Sequence, residues 1–307
     1  MRPDLSAPLV SVIICTRDRP AQVVECLASL RAAGGLCADL PFEVLVIENG
    51  STLDHAVDEE TILRAAPDRT RLLRLCQGNL SAARNVGMLN ARGAVFAFVD
   101  DDCAVDPNWL ADIGRHVRNR TDHFLIGGRV RLADPADLPF TIKDSAEHEV
   151  YDEAKNPGGF VQGCNFILPR RTALRVGLFD VRFGSGARFR AGEDTDYTIR
   201  AHGAGVAVHY VPDMAVAHRH GRRSFAEINR LNRAYAYANG AILAKHLFRH
   251  RWLARHFFWT IRSSLREKAG GPPFDPLLGL ALATVARAQL AGFAGFVAAR
   301  LARSEGG

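Results

Sequence analysis

Short runs of apolar, β-branched residues alternate with longer stretches of helical spacing through the first two thirds of the chain. Residues 10–14, interrupted only by Ser11, predict a first strand. The polar turn Cys15-Thr16-Arg17-Asp18-Arg19-Pro20 follows, and Pro20 suits the first turn of a helix. Val23, Val24, Cys26, Leu27 and Leu30 then recur at helical spacing over residues 21–33. Strand, turn and helix open a βαβ unit, whose turn would present Thr16 and Arg17 beside a helix N-terminus that favours anions. Residues 42–47 predict a second strand, ending in Glu48-Asn49-Gly50-Ser51, and residues 71–75 a third. After Gln77-Gly78, a helix capped by Asn79 or Ser81 carries Arg84 on its first turns and stops at Gly93. Residues 94–99, rich in Val and Phe, read as a strand buried on both faces. It ends in Asp100-Asp101-Asp102.

Beyond the acids the alternation continues. A helix is expected over 109–117, a strand over 124–130, a long irregular loop over 131–159 and a short strand over 163–168. A Gly/Ser loop over 183–192 then runs into Glu193, Asp194 and Asp196 at the start of a helix that Gly205 stops. Residues 206–211 predict a strand, 214–217 a separate one, and His218-Arg219-His220-Gly221 closes the body. From 222 to 307 the pattern is helical throughout. The expected division is therefore a catalytic body over 1–221, with a nucleotide-binding half to about 103 and an acceptor half over 104–221, followed by helices over 222–307.

Composition narrows the class. The chain has 307 residues, 48% hydrophobic and 23% charged, as an ordinary globular protein does. Of the net charge of +6, residues 241–270 carry all: seven Lys/Arg against one Glu. The rest is near neutral, so nucleic-acid binding by the body is excluded as an expectation. The six cysteines are scattered, with no CxxC pair, which argues against structural zinc and for a reducing compartment. No charged-then-apolar leader pattern is seen ahead of the first strand, so a cytoplasmic location is expected.

The candidate chemistry sits at strand ends, where ligands bind in open α/β sheets. Two carboxylates about 5 Å apart repel by roughly 3 kcal/mol at an effective dielectric of about 20. The triple Asp therefore needs a cation, a raised pKa or full hydration. Oxygen ligands suit Mg²⁺ or Mn²⁺. Alternation along an extended chain would send Asp100 and Asp102 to one side and Asp101 to the other. Glu48, at a strand end, suits a ribose or base, or a solvated turn. Arg84 suits a diphosphate or the surface. The glycine-rich loop can deliver Arg188 and Arg190 to phosphate while Glu193 and Asp194 face the same cleft. His218, just past a strand, suits a metal or simple packing.

In order and spacing, VSVIICTRDRP, EVLVIENGS, GNLSAARNVGMLNARG, AVFAFVDDD and GEDTDYTIRAHGAG resemble a family 2 glycosyltransferase with the GT-A fold, over roughly residues 8–220. The resemblance implies an α/β fold with a mixed, mostly parallel Rossmann-like sheet, a helical C-terminal appendage and inverting transfer from a sugar nucleotide, UDP-linked by expectation. Thr16, Arg17 and Glu48 would line the nucleotide pocket and Arg84 and Arg188 the phosphates. Asp100 and Asp102 would hold Mn²⁺ or Mg²⁺, with His218 as a further ligand and Asp101 toward the ribose or sugar. Asp194, of the Glu193-Asp194 pair, would be the general base. Glu48 departs from the family, which usually has Asp there. The implied acceptor is a carbohydrate or lipid-linked intermediate of cell-envelope polysaccharide synthesis. The alternatives are a sugar nucleotidyltransferase and a catalytically silent nucleotide-sugar binding module.

The C-terminal helices mix cations with aromatics over 245–259 and turn apolar over 277–301. That composition suits a helix lying on an anionic membrane surface. Arg287, near the middle, would cost about 2.5–3.5 kcal/mol in a spanning helix, so surface contact on the cytoplasmic face through residues 241–301 is favoured over a span. A helical bundle packed on the body or on a second copy of the chain is the other reading.

Overall fold

The computed structural model describes residues 9–56, 58–273 and 275–304, so the two ends of the expected segments, 1–8 and 305–307, lie outside it. The elements run in this order: β1 (Val10–Thr16), α1 (Pro20–Gly35), β2 (Phe42–Asn49), α2 (Glu59–Ala65), β3 (Thr70–Leu75), α3 (Leu80–Asn90), β4 (Val95–Asp100), β5 (Cys103–Val105), α4 (Trp109–Val117), β6 (Phe124–Leu132), β7 (Glu149–Val150), β8 (Asn165–Pro169), α5 (Arg170–Val176), α6 (Glu193–Gly203), β9 (Ala207–His218), α7 (Phe225–His246), α8 (Leu253–Lys268) and α9 (Leu282–Ser304).

One sheet in the order β3-β2-β1-β4-β8-β6-β9-β5, with β7 added to β9, organises them. The first four strands are mutually parallel. The second half is mixed, because β8 enters antiparallel to β4 and β6, while β6 and β9 run parallel. The two strands expected over 206–217 form one, β9, whose register against β6 shifts between Gly128 and Arg129. That irregularity lets a single strand continue through the polar Pro212-Asp213 step.

Alternation along the central strands builds a core on each face. Val12, Ile14, Val44, Val46, Ala97 and Val99 pack against Val23, Leu27 and Leu30 of α1 and Trp109, Leu110 and Ile113 of α4. Ile13, Leu45, Ile47, Phe96 and Phe98 face the other way, toward α3, α6 and the aromatic group Phe166, Phe179 and Tyr197. The helices start where their caps dictate. Asp58 accepts a hydrogen bond from the Thr61 N–H at α2, and Asn79 accepts one from Ala82 at α3.

The C-terminal helices are joined to this body. Ala241, Ile242 and Leu243 of α7 and Phe296 of α9 share a buried cluster with Phe183 and Phe189 of the glycine-rich loop and Ile199 of α6. α7 and α9 touch backbone to backbone: a Cβ on Gly240 would lie 1.8 Å from the Gln289 carbonyl oxygen, and one on Gly292 1.8 Å from that of Tyr237. Below α7, Asp196 of α6 is buried and neutralised by Lys245 (2.5 Å), His246 (2.8 Å) and Arg200 (2.9 Å).

Candidate active site

A cleft of about 770 Å³ opens at the carboxyl ends of β1 and β4 and is closed over by the glycine-rich loop and α7. The register of β1 with β4 brings Thr16 to the mouth of the triple Asp. Thr16 Oγ1 donates to Asp101 Oδ2 at 2.7 Å. Asp100 is the last residue of β4, and the two that follow form a turn, so strand alternation stops there. This corrects the expected arrangement. All three carboxylates line the cleft, with Asp100 reaching one way and Asp101 and Asp102 sharing a partner on the other.

That partner is Arg19, which the sequence reading passed over. Its guanidinium stands 3.1 Å from Asp101 Oδ1 and 2.9 Å from Asp102 Oδ2. Arg84 does the same for Asp100: fully buried, it donates to Asp100 Oδ1 at 3.2 Å and to Glu193 Oε1 at 2.8 Å. Burial disfavours its charge, but Glu193 and Asp100 more than offset that and hold its pKa above the ordinary value. Arg84 thus lies in the cleft wall and not on the surface. It is the bridge between two acidic groups 93 residues apart in sequence, at 100 and 193.

The acids respond to burial in different ways. Burial pushes Asp101 up to about 6, against the pull of Arg19. Burial would also raise Asp102, but His218 and Arg19 bring it below its usual value. Nε2 of His218 lies 3.2 Å from Asp102 Oδ1; burial lowers the imidazole's pKa, yet the Asp102 carboxylate carries it up to about 9. Burial pushes Glu193 to about 7 despite Arg84.

Asp194 opens α6 behind Gly192, whose φ of +83° favours a residue without a side chain. Its Oδ2 accepts the Gly163 N–H at 3.0 Å and its Oδ1 the Thr195 N–H at 2.6 Å, so both oxygens are held in the cleft wall. Arg17 lines the cleft, half exposed, next to Asn49.

Two expected residues stand elsewhere. Glu48 is not among the cleft-lining side chains: it is buried at the register position beside Arg74 of β3, from whose Nε its Oε2 accepts at 2.8 Å, and the next residue, Asn49, lines the cleft. Arg188 is exposed and lies over the Phe189 ring outside the cleft. Arg190, two residues on and at φ +69°, lines it. The helical region also contributes, through Arg222, Asn232, Tyr235 and Asn239, none of which the sequence patterns indicated.

The carboxylates fit a hard divalent ion. His218 Nδ1 is buried without a hydrogen-bond partner among the described residues, a costly state that coordination would relieve. Asp100, Asp102 and His218 offer two oxygens and an imidazole, a donor set that Mn²⁺ or Mg²⁺ accepts.

Residues 11–177, more than half of the chain, match the model of glycosyl transferase family 2. The chain belongs to that family. A second model, glycosyl transferase family group 2, matches this glycosyltransferase over residues 95–299, into α9. Glycosyltransferase AglE of Haloferax volcanii is 29% identical to it over 241 residues, covering 76% of this chain and 73% of that protein. Among solved structures, S. aureus TarS 1-349 in complex with UDP-GlcNAc superposes with a TM-score of 0.53 at 19% identity, over 84% of this chain and 77% of that one. The mannosyltransferase PcManGT from Pyrobaculum calidifontis, in complex with GDP-Man and Mn²⁺, superposes with 0.55 at 18%, over 99% and 77%. These two likenesses concern the fold, and they make the mixed sheet with its C-terminal helix that of a GT-A glycosyltransferase.

Proposed function

We propose that this glycosyltransferase is metal-dependent and inverting, and moves a sugar from a nucleotide donor, UDP-linked in the first instance, to an acceptor hydroxyl. The observation that carries the proposal is one cleft walled by two acidic groups, Asp100–Asp102 and Glu193–Asp194, with Arg84 buried between them. The UDP-GlcNAc held by TarS and the GDP-Man and Mn²⁺ held by PcManGT support a nucleotide-sugar donor and a divalent ion. The sugar nucleotidyltransferase alternative has no comparable support.

In this reading Thr16, Arg17 and Asn49 receive the nucleotide, and Arg190 reaches the phosphates in place of Arg188. Asp100, Asp102 and His218 hold Mn²⁺ or Mg²⁺, which when bound supplies charge stabilisation to the leaving diphosphate. Arg19 is 45% exposed on its side chain, so it can leave the acids when that charge arrives. Asp194, with both oxygens oriented by backbone N–H groups, takes the acceptor proton on the opposite side of the donor sugar. Attack there inverts the anomeric centre. General-base action of this kind contributes ~10²–10⁴-fold.

Asp194→Asn keeps the shape and removes the base. Turnover is expected to drop by ~10²–10⁴-fold while donor affinity by calorimetry changes little. Wild-type turnover in that variant would refute the assignment. The donor is found by thermal shift: the sugar nucleotide that binds raises the melting temperature by mass action, with Mn²⁺ and not after EDTA.

The acceptor is proposed to be lipid-linked or a cell-surface polysaccharide intermediate, met at the cytoplasmic face of a membrane. Support comes from the helices beyond residue 222. α9 is long and apolar enough to cross a bilayer, and only 17% of its apolar window is buried in the protein. Its Leu290, Val297 and Leu301 form an exposed stripe. On α8, Phe258, Trp259 and Leu265 are exposed beside Arg262 and Arg266. Exposed Arg287 favours contact over insertion.

A further inference from the structure

Behind the proposed donor metal lies a donor set of softer chemistry. Pairing of β5 with β9 sets Cys103 directly across from His218. Cys164 immediately precedes Asn165, which pairs with Val99 at the end of β4, so it arrives at the same point from the other strand. One ligand atom from each of Cys103, Cys164 and His218 lies within 4.8 Å of the other two, and all three residues are buried. Ligands at tetrahedral Zn²⁺ stand about 3.8 Å apart for bonds near 2.3 Å, so a contraction of about 1 Å at most would close the set. A fourth ligand is at hand, because Asp102 Oδ1 lies 3.2 Å from His218 Nε2.

The set has unmet bonding capacity. His218 is 6% exposed and its Nδ1 has no hydrogen-bond partner among the described residues. Both cysteines are free thiols rather than a disulfide. Thiolates select soft ions such as Zn²⁺ over Mg²⁺ or Mn²⁺, which prefer oxygen.

We propose that Cys103, Cys164 and His218, with Asp102 completing the shell, bind a thiophilic divalent cation of the Zn²⁺ or Cd²⁺ kind. Binding releases the two thiol protons and the imidazolium proton of His218 to solvent. Because His218 and Asp102 also belong to the donor-metal set, the two cations exclude each other. Zinc then acts as a brake on the transferase. That exclusion rests on the proposed function; the soft site itself does not.

The test uses the full, reduced chain. Cd²⁺ titration is expected to give a thiolate charge-transfer band saturating at one ion per chain. Cys103→Ser with Cys164→Ser should weaken it by at least about tenfold, whereas Cys76→Ser, on the exposed thiol, should leave it unchanged. A band that survives the double variant overturns the site. X-ray absorption on the Zn²⁺-loaded wild type needs no variant: two sulfur neighbours support the site, and a shell of only nitrogen and oxygen overturns it. For the exclusion, Mn²⁺ bound with UDP is followed by electron paramagnetic resonance. Release of Mn²⁺ on adding one equivalent of Zn²⁺ supports the shared ligands, and retention of Mn²⁺ beside sulfur-bound Zn²⁺ overturns them. Failure of Mn²⁺ to bind with any nucleotide would count against the donor-metal reading alone.

Discussion

Glu193 is the carboxylate through which pH acts on this fold most directly. Burial raises it from 4.5 to about 7, so across that window the native chain keeps a proton that the unfolded chain has given up. Stability must therefore fall as pH rises from about 4.5 to 7, by about 3 kcal/mol over the full window if the group acts alone. Glu193→Gln removes this group's share of the dependence. Urea unfolding at pH 5 and pH 8 is expected to show wild type losing stability relative to the variant on going to the higher pH. An unchanged difference would mean that Arg84 holds Glu193 ionised throughout. At this scale the sequence was informative where a strand end or a helix start locates a side chain, as at Thr16, Asp100 and Asp194, each of which lines the cleft. It was uninformative where a long side chain chooses among neighbours. Arg19 gives no pattern signal, yet it neutralises two of the three acids. Arg188 and Arg190 are two residues apart in one loop, yet Arg190, at a positive φ, lines the cleft and Arg188 does not. Glu48, level with Thr16 in the register, is drawn to Arg74 of the neighbouring strand, a choice of partner that no periodicity reveals.

Among elements, the pairing of α7 with α9 is the one most sensitive to a single atom. Gly240 and Gly292 each meet backbone of the other helix, which cannot move aside as a side chain could. Gly292→Leu is expected to cost about 3 kcal/mol or more and to lower the melting temperature, with loss of the α7–α9 contact seen as faster amide exchange in α9. A variant as stable as wild type would show that the two helices pack differently. β1, β2 and β4 were legible because each is a buried apolar run with a turn signal after it, while β3 is half-buried and carries two arginines. β5, β7 and α5 were not, since three, two and seven residues give too few periods to read. Nor could periodicity show that β8 enters antiparallel, because register is a property of pairs of strands.

For the whole molecule, the question is whether the helices beyond residue 222 serve a membrane or only the body. Their inner sides pack on the glycine-rich loop and α6, while Phe248, Phe258, Trp259, Leu277 and Leu301 remain exposed. Flotation with vesicles containing anionic lipid is expected to carry the chain upward, and neutral vesicles much less; high salt should release it, since each cation near the surface contributes about 1 kcal/mol. Recovery in the bottom fraction with both lipids would leave the exposed faces to a second copy of the chain. Composition indicated the character of this region but could not assign its two faces, since buried and exposed aromatics look alike in a sequence.

The tie between Asp196 and the pair Lys245–His246 has a consequence for any attempt to divide the protein. Asp196 sits two residues beyond Asp194 on one helix, with no exposure to water, and two of its three neutralising groups come from the far end of α7. Cutting the chain after the last strand would take Lys245 and His246 away from that carboxylate, open it to water beside Arg200, and uncover the apolar cluster of Phe183, Phe189 and Ile199 that α7 buries. The tail is thus no detachable tether: a shortened chain lacking it would lose the packing beneath the helix that carries Asp194.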